Sequence, residues 1–376
     1  MNYIIKHTDM PVLRFVLIEN TANPIVHITW VTDAVEMLPL DMTVTDEGLS
    51  RWLRGRTIPK NRAFVNNFLS KCGLSINRPM DIISVSKGLS LNDVYWIVEE
   101  DFNGSFEKYN LYENNFSNIL ALIAFTGYGS SLRSSLVSSP EFTTAGMLPK
   151  CWRRSSRKVY LYKGGTSGAS NTGFEPYSEF YASEIAKVMG VNAIEYRLNK
   201  WKGVLCSSCE IFTSRNYSYI PIGKIVKAGG MRAVRKFYES LGSEFVDALD
   251  EMLVFDAVIC NTDRHFGNFG VLVDNETNRI IKPAPLFDHG NSLFNFAVRD
   301  DLESEKAFDA YISTLLPQTY DDFIGDAKAV MTERNREQLR RILTYRLKKN
   351  PRYNLPENRY KLIANQIQKR ARLLLE

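Results

Sequence analysis

The chain has 376 residues, of which 44% are apolar and 24% charged, and a net charge of +5. That is enough for two domains or one large bilobed one with a full core. No apolar run approaches the roughly 18 residues of a membrane-spanning helix. The five scattered cysteines, Cys72, Cys151, Cys206, Cys209 and Cys260, do not make a disulfide framework and fit a reducing, cytoplasmic compartment.

In chain order, Met1 to Val12 mixes Lys6, His7 and Asp9 into a mildly apolar segment that does not read as a signal peptide. The alternations Val12-Leu-Arg-Phe-Val-Leu-Ile18 and Ile25-Val-His-Ile-Thr-Trp30 predict strands of a small β unit. Leu49 to Leu74 turns helical, and Pro59 divides it into two short helices. This Arg-rich pair has the outline of a helix-turn-helix, but an ordinary helix pair with a basic solvent face explains it better. Ser90 to Asp93 predicts a turn or helix cap before a strand-like run, and Asn110 to Phe125 predicts an apolar helix. Residues 1–120 are expected to form an N-terminal accessory α/β unit, to which the sequence assigns no chemical role.

Ser138 to Lys150 is a small-residue loop between apolar segments. Such a loop can bring backbone N–H groups close to phosphates. Gly146 is its only glycine, however, and by composition alone an ordinary surface loop is the better reading. Lys158 to Lys163 alternates as a strand that ends on a lysine, and Gly164-Gly165-Thr-Ser-Gly168 breaks the chain. A helix is predicted from near Pro176 to Gly190, with an apolar stripe of Phe180, Ile185 and Val188. Kinases place a strand lysine on the α- and β-phosphates and pair it with a helix glutamate. Lys163 suits the first role, and Glu179 and Glu184 both suit the second. Ala193 to Leu198 and Val204 to Phe212 predict paired strands, the second leading to a hinge where adenine would meet backbone groups near Glu210, Ile211 and Phe212. Cys206-Ser-Ser-Cys209 has neither a second pair nor a nearby histidine, so zinc or redox work is not expected of it. From Ser214 onward the chain reads as mainly helical, including Val234 to Leu241, Phe245 to Ile259 and Asp301 to Leu316.

The exception is Asn261 to Gly290. The apolar run Met252 to Cys260 leads into a polar loop carrying Asp263, Arg264, His265 and Asn268. Two short strands follow, Phe269 to Val273 and about Arg279 to Lys282, and they lead to Asp288-His289-Gly290. The hairpin brings the loop and the Asp288 turn to neighbouring ends. Phosphoryl transfer from ATP uses such a set: an Asp orients or deprotonates the acceptor hydroxyl, and an Asn and a second Asp hold magnesium. Asp263-x4-Asn268 followed by Asp288 has the kinase spacing. Arg264 either pairs with a carboxylate or stabilises the loop. His265 bonds Asp288 or the γ-phosphate, or is structural. His289 tunes the turn.

The order Asp-Arg-His-x-x-Asn, then Phe-Asp-x-Gly-x-Ser, resembles the HipA-like serine/threonine kinases, named after the kinase toxin of a bacterial toxin–antitoxin pair. Phosphatidylinositol-type lipid kinases share a similar order. The resemblance implies an α+β, bilobed protein-kinase-like fold with a β-rich N-lobe (121–213), a helical C-lobe (214–376) and the accessory unit packed onto them. It implies Mg2+ and ATP as cofactors and a protein substrate with a Ser/Thr acceptor, and it leaves room for an antitoxin-like partner. It selects Glu179, early in its helix, as the partner of Lys163. Ala145-Gly146-Met147-Leu148-Pro149-Lys150 looks like the family's Gly-Gly-Ala-x-Pro-Lys phosphate loop, departing at the first Gly. That family can autophosphorylate a serine in this loop, and Thr143 and Thr144 are the nearest hydroxyls here. A lipid or small-molecule kinase of the same fold, and a nucleotide-sensing module without catalysis, are the alternatives. Met331 to Glu376 carries 13 Lys or Arg against 4 Asp or Glu. A solvated helical face is preferred over a nucleic-acid surface there, because no nucleic-acid motif accompanies the charge.

Overall fold

The computed structural model describes residues 1–132 and 136–376. The chain divides into two compact units. The first comprises Met1–Lys163, Ile211–Ile220 and Leu272–Ile281; the second comprises Gly164–Glu210, Pro221–Val271 and Lys282–Glu376. The α+β character expected from the sequence is present, and no helix among the described residues is long and apolar enough to cross a membrane.

In the first unit, strands β1 (Asn2–His7), β2 (Met10–Glu19), β3 (Ile25–Val31) and β4 (Tyr95–Glu99) form an antiparallel sheet in the order β3-β2-β1-β4. Period-two alternation puts Tyr3, Ile5, Leu13 and Phe15 on one face. That face packs on Leu49, Trp52 and Leu53 of the helix Asp46–Gly55 and on Met80 and Ile83 of the helix Pro79–Ser86. Arg56, just past the first of these helices, is buried. It holds Asp93 with both guanidinium arms at 2.9 and 2.8 Å and donates to Gly88 O and Tyr95 O. This pins the turn that precedes β4.

After Pro59, the helix Val65–Cys72 packs Phe68 and Leu69 against Leu120 and Ile123 of the helix Asn118–Thr126 and against Phe142. The apolar helix expected from Asn110 therefore begins eight residues late. The Asn110 side-chain oxygen accepts the N–H groups of Tyr112 and Glu113 at 3.1 and 3.0 Å, a local turn that competes with helix, and Ser117 then caps the helix through Leu120 N. Strands β5 (Lys150–Ser155) and β6 (Lys158–Gly164) form a hairpin that sets Lys150 opposite Lys163.

In the second unit, the helix Glu175–Met189 ends on a left-handed Gly190, and β7 (Tyr196–Trp201) pairs antiparallel with β8 (Val204–Glu210). The helices Gly230–Leu241 and Ser243–Ile259 precede the polar loop that carries Asp263, and Glu305–Ile312, Phe323–Ala329, Glu333–Leu343 and Glu357–Leu375 close the chain. One strand, most of it and of its sheet in the first unit, lies where helix was expected. Strand β9 (Tyr217–Pro221) joins β10 (Gly270–Asp274) and β11 (Arg279–Pro283) in a sheet ordered β11-β10-β9. Its pairing partner lies some fifty residues on, beyond the reach of local periodicity.

Phe68 is fully buried, with its ring 5.1 Å from that of Phe142. Phe68→Ala is expected to cost about 3–5 kcal/mol, read as a lower denaturation midpoint. A loss below about 1 kcal/mol would mean that this cluster does not support the first unit.

Candidate active site

The helix Ser243–Ile259 stops at Cys260, whose φ of 52° reverses the chain. The polar loop that follows is built from its own hydrogen bonds. Asn261 Oδ1 accepts Asp263 N at 3.2 Å, His265 N donates to Asp263 O at 2.8 Å, and His265 Nδ1 accepts Gly267 N at 2.9 Å. Asn268 Nδ2 donates to Asp263 O at 3.0 Å, which orients that amide. His265 thus shapes the loop through Nδ1.

Arg264 is the centre of the segment. It is fully buried and bonds Asp256, also fully buried, through Nε at 2.8 Å and Nη2 at 2.9 Å. Nη1 donates to Asn268 O at 3.1 Å and to Phe287 O at 2.8 Å, and Nη2 lies 3.1 Å from His289 Nδ1. A guanidinium only donates, so His289 Nδ1 accepts and Nε2 carries the ring proton. Burial alone would lower the pKa of Arg264. The charge and hydrogen bonds of Asp256, helped by Tyr320 and Asp288, outweigh it and hold the guanidinium above its ordinary value.

Asp288 sits at φ 57°. A non-glycine residue in this region is held there by its surroundings. Its N–H donates to Tyr196 Oη at 3.1 Å. Burial, and then the charges of Glu179, Cys209 and Asp288, push the Tyr196 hydroxyl well above the usual tyrosine range, so it stays a neutral phenol. His289 N donates to Glu179 Oε2 at 3.1 Å, and Ser292 Oγ donates to His289 O at 2.7 Å. A Cβ on Gly290 would stand 3.3 Å from Glu175 Cβ, so a glycine lets the helix pass this close to the turn. Asn291 Nδ2 then donates to Asp263 Oδ2 at 3.0 Å, and Asn291 O accepts both Thr262 N and Thr262 Oγ1.

The second unit therefore brings together Asp263, Arg264, His265, Asn268, Asp288 and Glu179. Glu184 faces the other way along its helix, within electrostatic range of Tyr345. The remaining candidates, Glu210 excepted, belong to the first unit. Lys163 is buried at the end of β6, and Lys150 Nζ donates to Ala145 O at 3.0 Å. Gly146 has φ 91°, and a Cβ there would collide with Lys150 Nζ. Thr143 Oγ1 donates to Leu89 O at 2.8 Å; Thr144 Oγ1 donates to Pro140 O at 2.6 Å and accepts Trp152 Nε1 at 2.8 Å. Glu210 ends β8, Ile211 N donates to Val159 O at 2.9 Å, and the Phe212 ring stacks edge-on against Tyr219. Cys206 is buried, and burial pushes its thiol up to about 12, the setting of an inert structural cysteine.

No family model matches the chain, and no curated protein matches it. Among solved structures it is similar to HipA of Shewanella oneidensis MR-1, solved with HipB and operator DNA. The identity is 15% over 98% of this chain and 96% of that one, at a TM-score of 0.56. The chain has a HipA-like kinase fold. A Helicobacter pylori proinflammatory kinase, CtkA, also matches, with 18% identity over 62% of this chain and 90% of that one, at a TM-score of 0.48.

Within this HipA-like fold, three residues of the site escape a motif reading. Asp256 had a signal: a charge in the middle of an apolar helical run needs a buried partner. Glu175 immediately precedes Pro176; its Oε1 accepts Thr166 N at 3.2 Å and Thr166 Oγ1 at 2.6 Å, closing the glycine-rich loop onto the helix start. Asn291 has no signal beyond its place next to Gly290.

Asp256→Ala strands a buried guanidinium, and a loss of about 3–5 kcal/mol is expected. Denaturant unfolding measures it. A loss within about 1 kcal/mol would mean that Arg264 finds another counter-charge and that the pair is dispensable.

Proposed function

We propose that the chain is a Mg-ATP-dependent serine/threonine protein kinase. The observation that carries this reading is the joining of the Asp263–Asn268 loop to the Asp288 turn through one buried arginine. Two carboxylates and an amide oxygen then share a small region at kinase spacing. The fold likeness supports the class of chemistry.

In this reading Asp263 orients the acceptor hydroxyl and takes its proton. Asn291 holds Asp263 Oδ2 beforehand, so the plane of the carboxylate is set before a substrate arrives. Asn268 and Asp288 would hold magnesium, and the donor set fits it: both offer hard oxygens. No cluster of three or more His, Cys, Asp or Glu suited to a metal occurs among the described residues. When bound, magnesium would neutralise charge on the phosphates. We assign Lys163 to the α- and β-phosphates, Glu179 to the support of Lys163, and the 143–150 loop to the phosphate chain. Backbone groups near Glu210 and Phe212 are assigned to adenine. His265 shapes the loop that presents Asp263.

The Shewanella HipA was solved with HipB and operator DNA. On that likeness we infer an antitoxin-like protein partner for this chain; that it does not itself contact nucleic acid rests only on the lack of a nucleic-acid motif in its sequence. None of the five cysteines is in a disulfide, in keeping with the cytoplasmic setting we infer.

Purified protein incubated with magnesium and γ-labelled ATP is expected to transfer label to itself or to a protein acceptor, and Asp263→Ala and Asp288→Ala are expected to abolish the transfer. Label on a lipid or small molecule instead would move the acceptor class. ATP binding with no transfer to any acceptor would overturn the kinase reading in favour of a nucleotide-sensing module.

Asn291→Ala gives a separate expectation. It should lower kcat about ten- to hundredfold and leave KM for ATP within about twofold, because the bond it removes inside the site is the one that orients Asp263. An unchanged kcat would remove Asn291 from the site.

A further inference from the structure

The N-terminal accessory region has no chemistry in the reading above, yet it supplies the contacts that shape the 143–150 loop. Arg62 lies between the helices Asp46–Gly55 and Val65–Cys72 and is 3% exposed. Its Nη2 donates to Lys150 O at 2.5 Å and its Nη1 to Thr144 O at 3.3 Å. Its neighbour Ala63 donates its backbone N–H to Met147 O at 2.7 Å. Three carbonyls of one short loop are thereby drawn toward residues 62 and 63.

The geometry of the peptide bond turns this into an argument about ligands. In a planar trans peptide the carbonyl of one residue and the N–H of the next point in opposite directions. Drawing Thr144 O toward Arg62 therefore aims Ala145 N–H away from it, and drawing Met147 O toward Ala63 does the same for Leu148 N–H. Among the described residues, the N–H groups of Ala145, Gly146, Met147 and Leu148 have no protein acceptor. Ala145 and Met147 are exposed. Gly146, at φ 91°, supplies the left-handed step that lets successive N–H groups converge. Unpartnered N–H groups at Ala145 and Leu148, each backed by an anchored carbonyl, are what an anion-binding nest requires.

Two features suit Arg62 to this anchoring. Its guanidinium is sealed from solvent, with Nε buried and unpartnered, so its charge is spent inside the first unit. Glu141 is buried beside it, accepts Ser139 Oγ and Trp152 N, and opposes the desolvation that lowers the pKa of Arg62 to about 10. The arginine thus stays cationic at neutral pH and donates with the strength of a charged group.

We propose that Arg62 is a positioning residue for nucleotide phosphates, acting by holding the carbonyls of the 143–150 loop so that its N–H groups face the ligand. This gives the accessory region a role in the site. The proposal rests on the kinase reading given above.

The test compares wild type, Arg62→Met and Arg62→Lys for binding of Mg-ATP and of adenosine by titration calorimetry, with thermal melts alongside. Arg62→Met keeps bulk and removes every donor; it should weaken ATP about tenfold and leave adenosine within about twofold, because only the phosphates meet the loop. Arg62→Lys keeps the charge and one reach of donor and should fall between the two. It also carries the comparison if the Met variant melts early. A parallel loss of ATP and adenosine affinity would reduce Arg62 to a structural residue and overturn the proposal, as would ATP affinity unchanged in both variants. Failure of the wild type to bind ATP at all would overturn the kinase reading itself, an outcome distinct from either of these.

Discussion

A buried ion pair, Arg264 with Asp256, sets the geometry on which the candidate site depends. Neither side chain has measurable exposure. An isolated charge in that position would cost several kcal/mol, so each ion is tolerable only because the other is there with good geometry. The guanidinium spends its remaining donors on two backbone carbonyls from different segments, Asn268 O and Phe287 O, and on the His289 ring. One planar group therefore sets the spacing between the loop that carries Asp263 and the turn that carries Asp288. A lysine could not do this, since it is a single point of charge without a fork. The carboxylates of the site need not organise each other, which like charges do badly.

The helix Glu175–Met189 is a second fixed reference. Glu175, Ser178 and Glu179 fall at spacings of three and four and so share a face. Each is committed to a different stretch of chain: Glu175 to Thr166, Ser178 to Ser292 O at 2.8 Å, and Glu179 to His289 N. These polar residues of the helix are thus buried, against the usual rule that Glu is exposed. Their burial is offset by backbone donors and hydroxyls that would otherwise go unsatisfied in the turn and in the glycine-rich loop.

Much of this was legible before any coordinates. Pro59 divides the helices where the fixed φ of proline predicts, and the helix beginning at Glu175 ends on Gly190. The order Asp263, Asn268, Asp288 indicated a shared site because loop and turn flank one hairpin. What stayed hidden depends on distance along the chain or on side chains acting against pattern. Strand β9 exists because of a partner some fifty residues away. The helix at Asn118 starts late because Asn110 folds its own side chain onto the following backbone. The role of Arg264 was left open between two alternatives, and the structure joins them: it pairs with a carboxylate and by doing so stabilises the loop. Asn291 could not be found, since an asparagine beside a glycine is what any turn would carry.

The basic C-terminal stretch shows how a charge pattern can mislead when its partners are not known. Several of its cations point inward. Arg359 donates to Phe294 O at 2.9 Å and to Ala297 O at 2.5 Å and lies over the Phe174 ring at 4.1 Å. Arg370 donates to Ala257 O, and Arg341 to Met189 O at 3.1 Å. The carbonyls at Met189 and Ala257 sit at or near helix C-termini, where unpaired oxygens and the helix dipole favour a cation. Others meet acids, Arg334 with Glu251 and Lys369 with Asp309. Carbonyl acceptors carry no formal charge, so a cation that caps one still counts as surplus in a tally of the sequence. A local net of +9 can thus arise from the need to close helix ends and the segment after Asp288, with much of the charge turned toward the protein instead of toward a polyanion.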